Sequence, residues 1–437
     1  MSADIDAIGR QGAEMKKLVL SAVAAVALAT PALAADMKLK APPKLASWWD
    51  TFEISGHVEG GITGNSVRPA DGLNFGHLFT DRANTFLLNQ ALLTIQRPLD
   101  PKATGFDAGF KFQAMYGTDA RYTHFLGEFD QAISTRNQVD IVEAYAAFHL
   151  PWFTSGGMDL KIGQYVTLEG AEVIYAPDNL LYTHSYIFNF GIPFKHTGIM
   201  TTTHVNPVLD LYVGIDTGVN TTFGNSFNCF NCGDNNHAVA FHGGLGFNLL
   251  DGKLTILATT HIGPENPNVS QVVLAGVDPN RDLRYLNDVT ITFKPTDKLT
   301  FITDLNYIRD DGFGATGGGV AQYAAYAIND WLKIVGRGEI WRDNNGFFVA
   351  AFPGNLDFVM AEHGNPNAAV ISGGSTTYGA LTGGLNITPE LAKGGAVKAL
   401  IFRPEVRYDW SLNGTTPFAA GTKRSQFTFG GDVIAKF

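Results

Sequence analysis

The chain has 437 residues, of which 45% are hydrophobic and only 16% charged, with a formal net charge of -10. That composition is too apolar for a disordered chain, and the acidic balance excludes general nucleic-acid binding, which needs a basic surface. Mean hydropathy is +0.02, far too low for a helical membrane protein, whereas a transmembrane β-barrel exposes only alternate residues to lipid and escapes that test.

The first recognisable element is a continuous apolar run over 18–29, preceded by Lys16 and Lys17 and followed by Pro31 and Ala32-Leu33-Ala34. A positive start, a short apolar middle and an A-x-A end predict a secretory signal cleaved after Ala34. The run is too short to span a membrane as a helix, which takes about 20 residues. Residues before Met15 do not fit a leader, so Met15 is the expected start and 1–14 an upstream extension. Residues 35–47 are basic and proline-bearing and read as an extended periplasmic tail, with the barrel occupying 48–437.

From Trp48 onward the chain falls into alternating segments of the length of tilted membrane strands, about 9–11 residues. They lie near 50–62, 83–97, 105–118, 138–150, 158–167, 196–205, 208–219, 237–249, 252–262, 284–295, 298–309, 320–331, 332–343, 376–388, 397–410 and 425–437. The count of about sixteen is even, as bacterial barrels require. Connections after even strands are short, such as Asn206-Pro207 and Asp251-Gly252, whereas 63–82, 119–137, 263–283 and 344–375 are long. This parity predicts an all-β transmembrane antiparallel barrel with long extracellular loops and short periplasmic turns.

Individual strands are two-sided. Over 105–118, Phe106, Ala108, Phe110, Phe112, Ala114 and Tyr116 oppose Asp107, Lys111 and Gln113. Over 397–410, Leu400, Phe402, Val406, Tyr408 and Trp410 oppose Arg403, Glu405, Arg407 and Asp409, charges tolerable only on a lumen-facing side. The last strand puts Phe427, Phe429, Gly431, Val433 and Ala435 on one face, and only Ile434 breaks its alternation. Its terminal Phe437 is similar to the C-terminal aromatic residue that the outer-membrane assembly machinery reads. Trp331, Tyr408, Trp410 and Phe437 lie near strand ends, where aromatic girdles form.

The third long connection, 168–195, is far more apolar and aromatic than a solvent-washed loop and is expected to fold inward. Around it stand Gly163-Gln164-Tyr165-Val166-Thr167, Glu169, Gly170, Glu172, Tyr182-Thr183-His184-Ser185-Tyr186 and Pro193-Phe194-Lys195-His196-Thr197-Gly198. In these residues the chain resembles the OmpL-like β-barrel porin family of Gram-negative bacteria. Leu88-Asn89-Gln90, Asp234-Asn235-Asn236 and Gly263-Pro264-Glu265 extend it over nearly the whole mature chain. It implies class and location more than cargo, and no catalytic set.

Glu169, Glu172 and Asp178 on the inward loop are expected to face a basic wall of Arg337, Arg403 and Arg407, with Lys111 and Lys333. Opposed charges in a narrow aqueous passage orient dipolar solutes and penalise apolar ones. The bland alternative is unrelated lumen charges paired with neighbours, such as Arg403 and Arg407 with Glu405. Cys229 and Cys232 form the only C-x-x-C, and after export a loop-stapling disulfide is favoured over redox chemistry. Asp234-Asn235-Asn236 offers oxygen ligands for calcium but is equally a polar turn. Thr183-His184-Ser185 lacks a G-x-S-x-G elbow, so catalysis is not expected. Gly317-Gly318-Gly319 reads as a flexible surface turn.

These readings predict a passive porin for small hydrophilic solutes and ions, needing no cofactor or metal. Expected partners are outer-membrane lipid, lipopolysaccharide and the barrel assembly machinery, with a homotrimer open. A substrate-selective channel for a sugar or organic acid, lined by Tyr182, Tyr186 and Phe188, is the alternative; a plugged enzymatic, adhesive or structural barrel is the second.

Overall fold

The computed structural model describes residues 51–437 except 126–127, 129–134, 224–233, 235, 267, 269–272, 352–370 and 393. The expected leader and tail, and the Cys229–Cys232 disulfide, lie outside the described residues. Sixteen strands form one closed antiparallel barrel. In chain order they are β1 Glu53–Asn65, β2 Phe86–Arg97, β3 Asp107–Gly117, β4 Gln138–Leu150, β5 Met158–Val166, β6 Lys195–Asn206, β7 Leu209–Asp216 and β8 Ala240–Leu249. The second half comprises β9 Leu254–Pro264, β10 Leu283–Thr296, β11 Leu299–Asp310, β12 Ala315–Asn329, β13 Leu332–Asp343, β14 Thr376–Ile387, β15 Ala399–Ser411 and β16 Ser425–Lys436.

Every strand pairs with its neighbours in sequence, and β1 closes on β16 from His57↔Lys436 to Asn65↔Thr428. Closure removes both sheet edges, which is how a barrel satisfies its backbone in lipid. Beyond the strand, the amide of Phe437 donates to the carbonyl of Gly56 at 2.9 Å and that of Gly56 to the carbonyl of Phe437 at 3.1 Å. An added Cβ at Gly56 would lie 2.7 Å from the Phe437 ring, so the glycine makes room for the terminal aromatic.

The two-sided strands behave as their patterns require. On β16, Phe427, Phe429 and Val433 are exposed outward, whereas Gln426, Thr428 and Asp432 are buried inward. Ile434, the exception to the alternation, is fully buried and packs with Ile401 and with Ala176 of the third long loop. On β15, Val406 and Tyr408 face out and Arg403, Glu405, Arg407 and Asp409 face in. Tyr408 and Trp410 stack at 5.6 Å on the outer surface, where Trp331 and Phe437 are also exposed.

The glycine run Gly317-Gly318-Gly319 is not a surface turn; it belongs to β12, which therefore begins at Ala315. Gly319 pairs with Trp341 of β13, and a Cβ there would lie 2.1 Å from the Ile340 carbonyl oxygen, an approach only glycine permits. The turn that starts this strand is instead 311–314. The Asp234 carboxylate accepts from the amides of Asn236 and His237 at 3.1 and 2.6 Å, the polar-turn arrangement.

Candidate functional site: the lumen and its inward loop

Connections after odd strands gather at one end of the barrel and those after even strands at the other. The third odd connection, 167–194 (L3), runs down into the barrel and is built from one 3-10 turn, Ala176–Asp178, and one π turn, Ile187–Gly191. A loop this irregular leaves its backbone groups unpaired by secondary structure, so they must find partners elsewhere or stay wet. The wall supplies those partners.

Carboxylates on the inner wall accept loop amides. Glu405 takes those of Tyr182 and Thr183 at 2.8 and 3.2 Å, and Glu339 that of Tyr186 at 2.7 Å. Asp288 and Asp304 take those of Gly170 and Ala171, each at 3.1 Å. Arginines on the same wall donate to loop carbonyls: Arg337 to Thr183 at 2.7 Å, Arg403 to Ala176 and Asn179 at 2.8 Å, and Arg407 to His184 at 2.6 Å. Charged groups on alternate inward positions of β10, β11, β13 and β15 thus bind one loop from several sides. Such charge-assisted bonds are roughly twice as strong as neutral ones.

The wall arginines are themselves neutralised. Arg403 pairs with Glu59 at 3.1 Å and donates to Asp432 at 3.0 Å. Arg407 donates to Asp409 at 2.8 Å and shares Glu339 with Arg337 at 3.3 and 3.1 Å. All three guanidinium groups are at most 2% exposed.

Apolar packing completes the seat. Phe188, Phe190, Ile192 and Phe194 of L3 join Leu73, Phe75, Leu78 and Phe79 of the first long loop (66–85) in one buried cluster. Inward folding of that first loop was not legible, because Leu73, Phe75 and Leu78 are scattered among polar residues; its only signal was an apolar spacing in an otherwise loop-like stretch. Tyr186 stacks on Tyr378 at 4.9 Å, lies beneath Arg407 and donates its hydroxyl to Asp409 at 3.1 Å. Two glycines make this possible: a Cβ at Gly61 would lie 2.5 Å from the Tyr182 ring, and Gly76, at φ +83°, would meet the Tyr186 hydroxyl at 2.9 Å.

The acidic residues singled out from the sequence have three different fates. Glu172 is in direct contact with the wall, accepting from Arg337 at 2.7 Å and from the Ser185 amide at 2.8 Å. Glu169 instead lies near Asp288 and Asp216, 2% exposed and without a hydrogen-bond partner for either oxygen. Burial holds its carboxyl well above the ordinary range, and the charges of Asp288 and Asp216 add to that. Asp178 is half-buried; burial raises it while Lys436 and Lys111 pull it back. Of the basic residues, Arg337, Arg403 and Arg407 touch L3, Lys111 pairs with Glu143, and Lys333 is half-buried near the short-turn end of β13.

Loop and arginines are therefore in direct contact at this level. Arg403 and Arg407 find their partners in Asp432, Glu59, Asp409 and Glu339, and Glu405 spends its oxygens on the loop. His184 stacks on Phe188 at 4.3 Å, and burial with the three nearby arginines holds its imidazole well below its usual range, so it is neutral. Tyr182, Tyr186 and Phe188 are at most 2% exposed and pack between loop and wall, so they form no exposed aromatic track.

With this geometry in view, the chain matches the family described as "Putative beta-barrel porin-2, OmpL-like" over residues 51–437. The chain belongs to that family. Among solved structures it is similar in fold to the outer membrane channel DcaP of Acinetobacter baumannii, with 12% identity, TM-score 0.52, and 88% of this chain and 97% of that chain covered. The anion-selective porin from Comamonas acidovorans is similar at 10% identity and TM-score 0.54, covering 88% and 99%. OmpF of Salmonella typhi, solved with daunomycin, gives 10% identity and TM-score 0.52, covering 88% and 97%. No curated protein matches in sequence. The barrel is thus a porin-like barrel, and family and fold together point to a channel in the Gram-negative outer membrane.

Proposed function

We propose that this porin passes small hydrophilic solutes and ions by passive diffusion through its charge-lined lumen, past the docked L3. The observation that supports this reading is the contrast between the faces of β13 and β15: outward residues are apolar, whereas Arg337, Glu339, Arg403, Glu405, Arg407 and Asp409 line the inside. Water and ions replace their lost hydration at such groups, and apolar solutes do not. Glu172 and Asp178 supply the acidic side of the constriction, and Glu169, whose carboxyl burial holds well above the ordinary range, contributes less to it. On this reading the chain is a channel and not an enzyme, and the hydroxyls of Ser185 and Thr183 help hold the loop, accepting from the Phe188 amide at 3.1 Å and from Arg337 at 3.3 Å.

One observation favours a second reading, a plugged barrel: wall and loop side chains at the level of L3 are almost wholly buried. Planar-bilayer recording of the refolded protein across a salt gradient separates the two. Small, stable current steps support the porin; a folded, heat-modifiable barrel that never conducts supports the plug. We further propose export by a leader cleaved after Ala34, insertion by the barrel assembly machinery through Phe437, contact with lipopolysaccharide, and packing as a homotrimer.

A further inference from the structure

Away from the L3 contacts with β13 and β15, four adjacent strands each send one inward side chain to the same place: His196 from β6, Asp216 from β7, His242 from β8 and His261 from β9. All are buried, the three imidazoles at 0% and Asp216 at 4% exposure. Neighbouring strands are about 4.8 Å apart, so same-face side chains at one height must meet. The ring centroids of His196 are 4.5 Å from His242 and 4.7 Å from His261.

Pairing within the protein accounts for only part of this cluster: His196 and His261 lie against Asp216, but neither ring nitrogen of the fully buried His242 has a hydrogen-bond partner. Each orphaned polar atom costs about 1–3 kcal/mol, which a fold would avoid with apolar residues unless something else satisfied them. One ligand atom from each of His196, Asp216 and His261 lies within 4.8 Å of the others. His196 Nδ1 is 3.3 Å from Asp216 Oδ2, and His261 Nε2 is 3.0 Å from Asp216 Oδ1. The edge of a tetrahedron with metal–ligand bonds of 2.0–2.1 Å is about 3.3 Å.

We propose that His196, Asp216 and His261 bind a divalent first-row transition-metal ion, with His242, whose Nδ1 is 4.0 Å from Asp216 Oδ2, as the fourth ligand. Imidazole with carboxylate suits zinc and its neighbours, and disfavours calcium and magnesium, which take oxygen ligands. The outer partners orient the rings as metal sites require. His196 Nε2 is 3.2 Å from Thr167 Oγ1, and His261 Nδ1 is 3.7 Å from Glu265 Oε1. Glu265 is fixed in turn by the Val219 amide at 2.7 Å. Through Thr167, the first residue of L3, the ion would tie four wall strands to the root of the inward loop.

The test is metal binding by the refolded protein after chelator stripping, in a Cys229→Ser/Cys232→Ser background that removes the thiols. Zinc titrated against a chromophoric chelator should bind at one tight equivalent, and cobalt should give the visible absorption of a four-coordinate site. Asp216→Asn with His261→Gln should abolish that equivalent. His242→Phe should weaken it by about 10- to 100-fold. His204→Asn, at the distinct rim pair of His204 with Asp159 and Asp210, should leave it intact. If the ligand variants do not fold, X-ray absorption of the zinc-loaded Cys-free protein decides: a nitrogen and oxygen shell with imidazole scattering supports the site. An oxygen-only shell, retention of the equivalent in folded Asp216→Asn/His261→Gln, or no tight equivalent would overturn it.

Discussion

Glu405→Gln tests how firmly L3 is held. Glu405 lies on β15, is buried, and accepts the amides of Tyr182 and Thr183 at 2.8 and 3.2 Å. Glutamine keeps the shape and one acceptor oxygen but removes the charge and turns its other terminal atom into a donor aimed at a donor. A bond to a charged acceptor is worth about 1.5–3 kcal/mol against about 0.5–1.5 for a neutral one. The Thr183 amide lies 3.2 Å from both carboxylate oxygens, so the remaining glutamine oxygen still faces both amides, and weakening the two bonds costs about 1–3 kcal/mol of loop docking. Since 1.4 kcal/mol is a factor of ten, the displaced-loop population should rise roughly 5- to 150-fold. Single-channel recording should show more frequent or longer high-conductance events, while heat-modifiable migration on gels reports that the barrel is folded. Unchanged current in a folded Glu405→Gln barrel would refute the idea that loop docking limits permeation.

Glu169 and Glu172 should respond oppositely to neutralisation. Glu172→Gln weakens the contact with Arg337 and should lower the thermal midpoint by an amount corresponding to about 1–3 kcal/mol, whereas Glu169→Gln, relieving a buried carboxyl beside Asp288 and Asp216, should leave it unchanged or raise it; equal losses would contradict the placement of Glu169. Asp119, just past β3, has its carboxyl pushed up to about 6 by burial, against hydrogen bonds from Asn89 and Gln90. A raised carboxyl stabilises the fold fully below its ordinary value of 3.8 and loses that contribution as pH rises to about 6. Wild type should therefore gain on Asp119→Asn at pH 4 relative to pH 7, and a pH-independent difference in unfolding temperature would remove Asp119 as the cause. Ile434→Ala should cost about 2–5 kcal/mol by leaving a cavity under Ala176, read as a lower unfolding midpoint; a loss below 0.5 kcal/mol would mean that this contact does not hold the loop.

The barrel was legible because period-two alternation and loop parity are long-range signals repeated over sixteen strands, so errors at single residues do not accumulate. Strand ends were less so: the 317–319 glycines look like a turn by composition, and only the closeness of Trp341 and Ile340 shows why they stand in β12. The inward course of L3 followed from its apolar and aromatic content. What composition could not show was how the loop is held. Which wall charge meets which loop atom depends on register between strands far apart in sequence, as with Glu405 and Tyr182 or Arg403 and Ala176. Ile434 was visible as a break in a pattern, and its reason, contact with Ala176, lies on the loop. The His196, Asp216, His242 and His261 cluster was hidden for the same reason: its members are spread along four strands without motif spacing.

The most direct test of the central account is a side-by-side single-channel comparison of the wild-type barrel with one in which 171–191 is replaced by a short Gly-Ser linker. If docked L3 sets permeability, wild type gives small steps and the excised barrel gives stable steps several-fold larger. Equal step sizes from two folded barrels would contradict the account and move the barrier elsewhere in the lumen.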